Sequence, residues 1–137
     1  MPLLANDTDG AVTRKRIEAF AAKTEKVTVV AASDAATTQA QATLAAAGHV
    51  VYTMTPTAGR ALTTPTGAEL GTAFTDEAVG TSFNFSVVNL ASATHAITLT
   101  AGASGVTLVG SATVAAATSA SFVGVFTAAN TVSIYRV

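Results

Sequence analysis

Ser82-Phe83-Asn84-Phe85-Ser86-Val87 alternates strictly between polar and apolar side chains. In an extended chain successive side chains leave opposite faces. Phe83, Phe85 and Val87 therefore share one face, and Ser82, Asn84 and Ser86 the other. The same period of two continues downstream. Ile97 and Leu99 alternate with Thr98 and Thr100, and Val106 and Leu108 flank Thr107. Phe122, Gly124 and Phe126 form one row with Val123 and Val125 opposite, and Val132 and Ile134 alternate with Thr131 and Ser133. Separators rich in Gly, Ala, Ser, Thr and Asn fall at 89–94, 102–105, 110–111, 116–119 and 128–130. Strands recurring roughly every 8–12 residues between such turns describe an antiparallel β-sandwich or barrel, jelly-roll-like, in the C-terminal part of the chain. No period of roughly 20–50 residues is visible, which argues against a solenoid or propeller.

Upstream, strand and helix signals mix. Residues 1–12 contain Asn6, Asp7, Asp9 and Gly10 and little that could form a core, so they read as an extended N-terminal arm. The spacing of Ile17, Phe20 and Ala21 predicts a helix over 13–26, followed by a strand at Val27–Val30. Ser33-Asp34 resembles a helix N-terminus and Gly48 a stop, which predicts a second helix over 34–47. His49–Met54 reads as a strand. Pro56, Gly59 and Pro65 then make turns, and a short helix over 66–78 places Leu70 and Phe74 on one face. The chain is thus mainly β: an arm at 1–12 and one β-rich domain at 13–137 carrying one or two short helices.

Charge is distributed unevenly. From Ala78 to Tyr135, 58 consecutive residues include no Asp, Glu, Lys or Arg. A soluble monomer normally disperses both signs over its surface. A long uncharged segment suits a surface covered by partners or wetted by hydroxyls, and Thr and Ser are abundant in it. Acid–base and metal chemistry need titratable side chains, so catalysis is not expected there. Net charge is −1, which recruits neither nucleic acid nor an anionic membrane, and cysteine is absent.

The residues that could carry chemistry are few. His49 opens a strand and His95 sits in a turn, each without an acidic neighbour or a second ligand at metal spacing. Asp76-Glu77, the one adjacent carboxylate pair, reads as surface charge near a helix end. Gly102-Ala103-Ser104-Gly105 lacks the Lys-Ser/Thr of a phosphate loop and reads as a hairpin turn. No catalytic, cofactor-binding or metal-ligating residues are expected. Arg14-Lys15-Arg16 is the only basic cluster, either a solvated face or a contact with an acidic surface.

The segments from Val79 to Asn89, Ile97 to Gly102, Gly105 to Gly110, Ser121 to Thr127 and Val132 to Arg136 together resemble a β-domain of tailed-bacteriophage structural proteins. The likeness is closest to capsid decoration (cement) proteins and spans about residues 50–137. It rests on the cadence of strands and turns and not on an invariant motif. It implies a virion structural protein without catalytic residues, a homotrimer on the outer capsid surface that partners the major capsid protein and binds neither nucleic acid nor membrane directly. Leu3 and Leu4 in the arm, and Arg14, Lys15 and Arg16, are the expected capsid contacts, with the arm adding a strand to a capsid subunit. The alternative is a head-fibre or tail-fibre module that binds a host-surface glycan. The absence of Trp and the lack of carboxylates in the β-rich part weigh against it.

Overall fold

The computed structural model describes residues 25–75 and 77–137. In chain order the elements are β1 (Val27–Ala31), β2 (Thr37–Thr38), α1 (Gln41–Ala46), β3 (His49–Met54), β4 (Arg60–Thr63) and α2 (Gly67–Ala73). They continue as β5 (Ser82–Asn89), β6 (Ile97–Thr100), β7 (Val106–Val109), β8 (Thr113–Val114), β9 (Ser119–Ala128) and β10 (Thr131–Arg136). A six-stranded sheet has the order β1-β3-β5-β9-β10-β7, and a four-stranded sheet the order β2-β4-β6-β8. The mainly-β, two-sheet architecture is the one the alternation predicts. One buried cluster joins the sheets. Val50, Tyr52, Phe85, Phe122 and Phe126 come from the large sheet and Leu62, Ile97, Leu99 and Val114 from the small one, with Leu44 and Leu70 from the helices.

The pairing has two characters. In the C-terminal part β5–β9, β9–β10 and β6–β8 are antiparallel, while β7 joins β10 in parallel. In the N-terminal part every pair is parallel: β1–β3, β3–β5, β2–β4 and β4–β6. Parallel neighbours need a long crossover. Here each crossover visits the small sheet and then a short helix before returning, so the chain winds β1-β2-α1-β3-β4-α2-β5-β6. This coil-like winding was not visible as a repeat because its turns differ in length. Val27 pairs with His49, an offset of 22 residues, whereas Val50 pairs with Phe85, an offset of 35.

Three local expectations are corrected. The helix predicted over 34–47 is confined to Gln41–Ala46, and Thr37–Thr38 is a strand. Asp34 does not cap it; its carboxylate accepts from Thr57 and Arg60 instead, and the β-branched pair Thr37-Thr38 extends beside β4. The helix predicted over 66–78 is Gly67–Ala73, opened by a capping box in which Thr66 and Glu69 exchange hydrogen bonds. The loop 102–105 is not a hairpin, since β6 and β7 lie in different sheets. It packs over the start of α2, where the Ser104 carbonyl accepts the Gly67 N–H at 2.9 Å. The helix predicted over 13–26 lies outside the described residues apart from Glu25 and Lys26.

Candidate assembly surface

The outward face of the large sheet is built by strand alternation. On β1, Thr28 and Val30 turn inward while Val27, Val29 and Ala31 turn out. Through the register this face continues with His49, Val51 and Thr53 on β3, and with Ser82, Asn84, Ser86 and Val88 on β5. It continues with Ser119, Ser121, Val123 and Val125 on β9, Ser133 and Tyr135 on β10, and Thr107 and Val109 on β7. Among the described residues no Asp, Glu, Lys or Arg lies on it. The lack of charge therefore extends beyond the uncharged segment to the two strands contributed by the N-terminal part.

The face is not uniform. Its middle, on β5 and β9, mixes Ser82, Asn84, Ser86, Ser119 and Ser121 with the half-buried Val88, Val123 and Val125. His49 Nε2 lies 2.8 Å from Ser86 Oγ, and Ser86 Oγ lies 2.9 Å from Ser121 Oγ. The exposed large apolar side chains sit at the margins. Val27 and Val29, 58% and 65% exposed, are on edge strand β1. Val109 and Tyr135, 44% and 39% exposed, are on β7 and the neighbouring β10, while Val137, just past the end of β10, hydrogen-bonds to Ser121 of β9. The His49–Ser86–Ser121 chain was missed in the sequence, because it depends on a register between residues 35 or more apart.

The charged side chains of the folded part are largely consumed within it. Asp34 pairs with Arg60 at 2.6 Å. The Arg60 guanidinium, then the Thr57 hydroxyl and N–H, hold the Asp34 carboxyl well below the usual carboxylate range. Glu69 closes the capping box of α2, and the N–H and hydroxyl of Thr66 lower its pKa. Glu77 accepts the Asn130 N–H at 3.2 Å, and Arg136 donates to the carbonyls of Ser111 and Thr113.

Other candidates give little chemistry. Among the described residues no group of three His, Cys, Asp or Glu could hold a metal ion, and no helix is long and apolar enough to cross a membrane. An open groove of about 410 Å³ lies between the ends of β5 and β9, lined by Val88–Ser92 and Ala117–Ser119 and uncharged. His95 contributes its backbone carbonyl, not its ring, to a hydrogen bond with Asn89. Of the expected capsid contacts, Leu3, Leu4, Arg14, Lys15 and Arg16 all lie outside the described residues, as does Asp76. Comparison with protein-family models, with curated proteins and with solved structures gave no match.

Proposed function

We propose that the protein is a phage virion structural protein that decorates and stabilises the capsid shell as a homotrimer on the outer surface, bound to the major capsid protein. The observation that carries the reading is the uncharged outer face of the large sheet. A sheet face that meets only water is normally studded with charge. One without charge, yet with exposed valines at its margins, suits contact with other subunits. The resemblance of residues 50–137 to phage structural β-domains supplies the setting. The role is mechanical: many weak contacts repeated over a shell hold through multivalency. Leu3, Leu4 and Arg14-Lys15-Arg16 are the proposed contacts with the shell.

We do not assign catalysis to the Ser86–His49 pair. Ser86 lies mid-strand, where the surrounding backbone N–H groups belong to the ladders with β3 and β9 and leave no oxyanion donors. The glycan-binding alternative has less support. Tyr52 is buried, and no carboxylate lies on the face that carries the exposed Tyr135.

The test is to purify intact virions and count copies of the protein per particle. Hundreds of copies accord with shell decoration. A handful would place the protein at the tail or a vertex, and absence would sink the virion reading.

A further inference from the structure

The strand directions in the large sheet have a consequence for assembly. β1, β3 and β5 run the same way, β9 runs opposite, and β10 and β7 run with β1. The two outermost strands therefore point in the same direction. A copy generated by rotation about an axis along the strands brings its β7 beside β1 in parallel alignment. Among the described residues neither outer edge is paired. Exposed edges are usually guarded by charge or proline. The β1 sequence Val-Thr-Val-Val-Ala and the β7 sequence Val-Thr-Leu-Val have neither.

A cyclic oligomer other than a dimer needs a heterologous contact, made of two different patches on opposite sides of the subunit. The margins of the large sheet supply two such patches. Val27 and Val29 lie on one side, and Val109 and Tyr135 on the other. Both are uncharged, so they meet without like-charge repulsion or stripping of charge.

We infer that the partner of this face is a second copy of the chain, joined head to tail, with the β1 edge of one subunit against the β7 edge of the next and the uncharged faces turned toward a common axis. The inference rests on the trimeric reading for the number of subunits. Six strands spaced about 4.8 Å apart, plus one such spacing between copies, give each side a width of about 29 Å. Three such sides place the middle of each face about 8 Å from the axis, against about 5 Å for two dry sheets packed face to face. The centre of each face then stays partly hydrated, while the margins close on one another. Ser82, Asn84, Ser86, Ser119 and Ser121 on the middle strands suit retained water, with half-buried Val88, Val123 and Val125 among them, and the exposed strand valines Val27, Val29 and Val109 lie on the edge strands.

The chain contains no cysteine, so introduced thiols report contacts cleanly. Val29→Cys and Val109→Cys are made separately, and the oligomer, in solution or on isolated particles, is treated with a short bis-maleimide. The expected result is a cross-linked dimer from the mixture of the two variants and none from either alone. The doubly substituted chain should give a ladder that ends at three. Dimers from Val29→Cys alone would mean a two-fold β1–β1 contact and overturn the inference. So would a Val29→Cys thiol shielded from reagent in dilute monomer, because the chain's own N-terminal segment would then occupy the edge. Finding the protein on virions with no mixed cross-link overturns this contact but leaves the decoration reading. Mixed cross-links from a protein absent from virions support the contact and remove that reading. Failure to form any oligomer, free or on particles, overturns the contact.

Discussion

Asn89 and Gln39 are both buried amides, 1% and 2% exposed, with opposite surroundings. Asn89 Nδ2 donates to the carbonyls of His95 and Val114 at 2.8 and 3.0 Å, and Oδ1 accepts the Ala91 N–H at 3.0 Å. From the end of β5 it thereby ties the large sheet to β8 and to the turn before β6. Asn89→Ala should cost about 2–3 kcal/mol, because it strands buried backbone groups; a denaturant titration reads this directly. Neither amide atom of Gln39 has a hydrogen-bond partner among the described residues. Burying such a group is unfavourable, so Gln39→Met should raise stability by about 1 kcal/mol in the same titration. The Tyr52 hydroxyl is also buried without a partner among these residues, and burial pushes its pKa up to about 12. A raised pKa in the fold keeps stability intact below the unfolded value of about 10 and loses it as pH climbs from there toward about 12. Melting curves should show the wild type losing stability above about pH 10 more steeply than Tyr52→Phe, with the two alike or the variant slightly higher at neutral pH. None of these roles was legible in the sequence. Asn89 read as the start of a turn and Gln39 fell within the helix predicted over 34–47, and only tertiary placement separates a satisfied amide from an orphaned one.

Alternation along an element was the most legible feature. Alternation places Phe83 and Phe85 on one face of their strand and Phe122 and Phe126 in one row of theirs, and all four are buried, with the Phe85 and Phe122 rings stacked at 5.2 Å. Period two fixes which side chains share a face whatever the topology, so the β5 and β9 readings survived. The row Phe122-Gly124-Phe126 holds a further constraint. Gly124 pairs with Phe83 across the strands, and the Phe83 ring lies over it where a Cβ would be. Phe85→Ala should therefore cost about 3–5 kcal/mol by leaving a cavity. Gly124→Ala should cost about 1–3 kcal/mol by the reverse effect, overpacking against Phe83. Thermal melts of the pair, with Phe83→Leu/Gly124→Ala as a partial rescue, would separate the two mechanisms; equal losses with and without the rescue would remove the overpacking account. Helix boundaries were less legible. The stretch 34–47 has good helix formers, but Asp34 is drawn to Arg60 and Thr57, and the tertiary pairing of β2 with β4 overrides local propensity.

At the scale of the whole molecule, the order of strands could not be read from a single chain, because sheet membership is decided by crossovers that leave no local mark. The uncharged segment was legible, but not its meaning. The strands of residues 78–135 form one side of each sheet, β5-β9-β10-β7 and β6-β8, and the sheets are completed by β1-β3 and β2-β4 from the earlier part of the chain. What matters is the face, which is uncharged across strands from both parts of the chain. This gives the proposed assembly a distinct salt response. A contact held by ion pairs weakens as the screening length shrinks from about 10 Å at 0.1 M salt to about 3 Å at 1 M. A contact of valines, Tyr135 and hydroxyls has no such term, and sulfate, excluded from protein surface, strengthens apolar burial. The self-association constant measured by sedimentation should therefore stay constant between about 0.1 M and about 1 M sodium chloride and rise in sulfate. Val29→Glu should weaken association at every salt concentration, because each contact would desolvate an unpaired carboxylate; one carboxylate per corner, about 29 Å apart, lies beyond the screening length and adds little repulsion. A wild-type constant that falls steeply with sodium chloride would instead mean that charged groups carry the contact. The sheet face has none, so Arg14, Lys15 and Arg16 would then be the first residues to substitute.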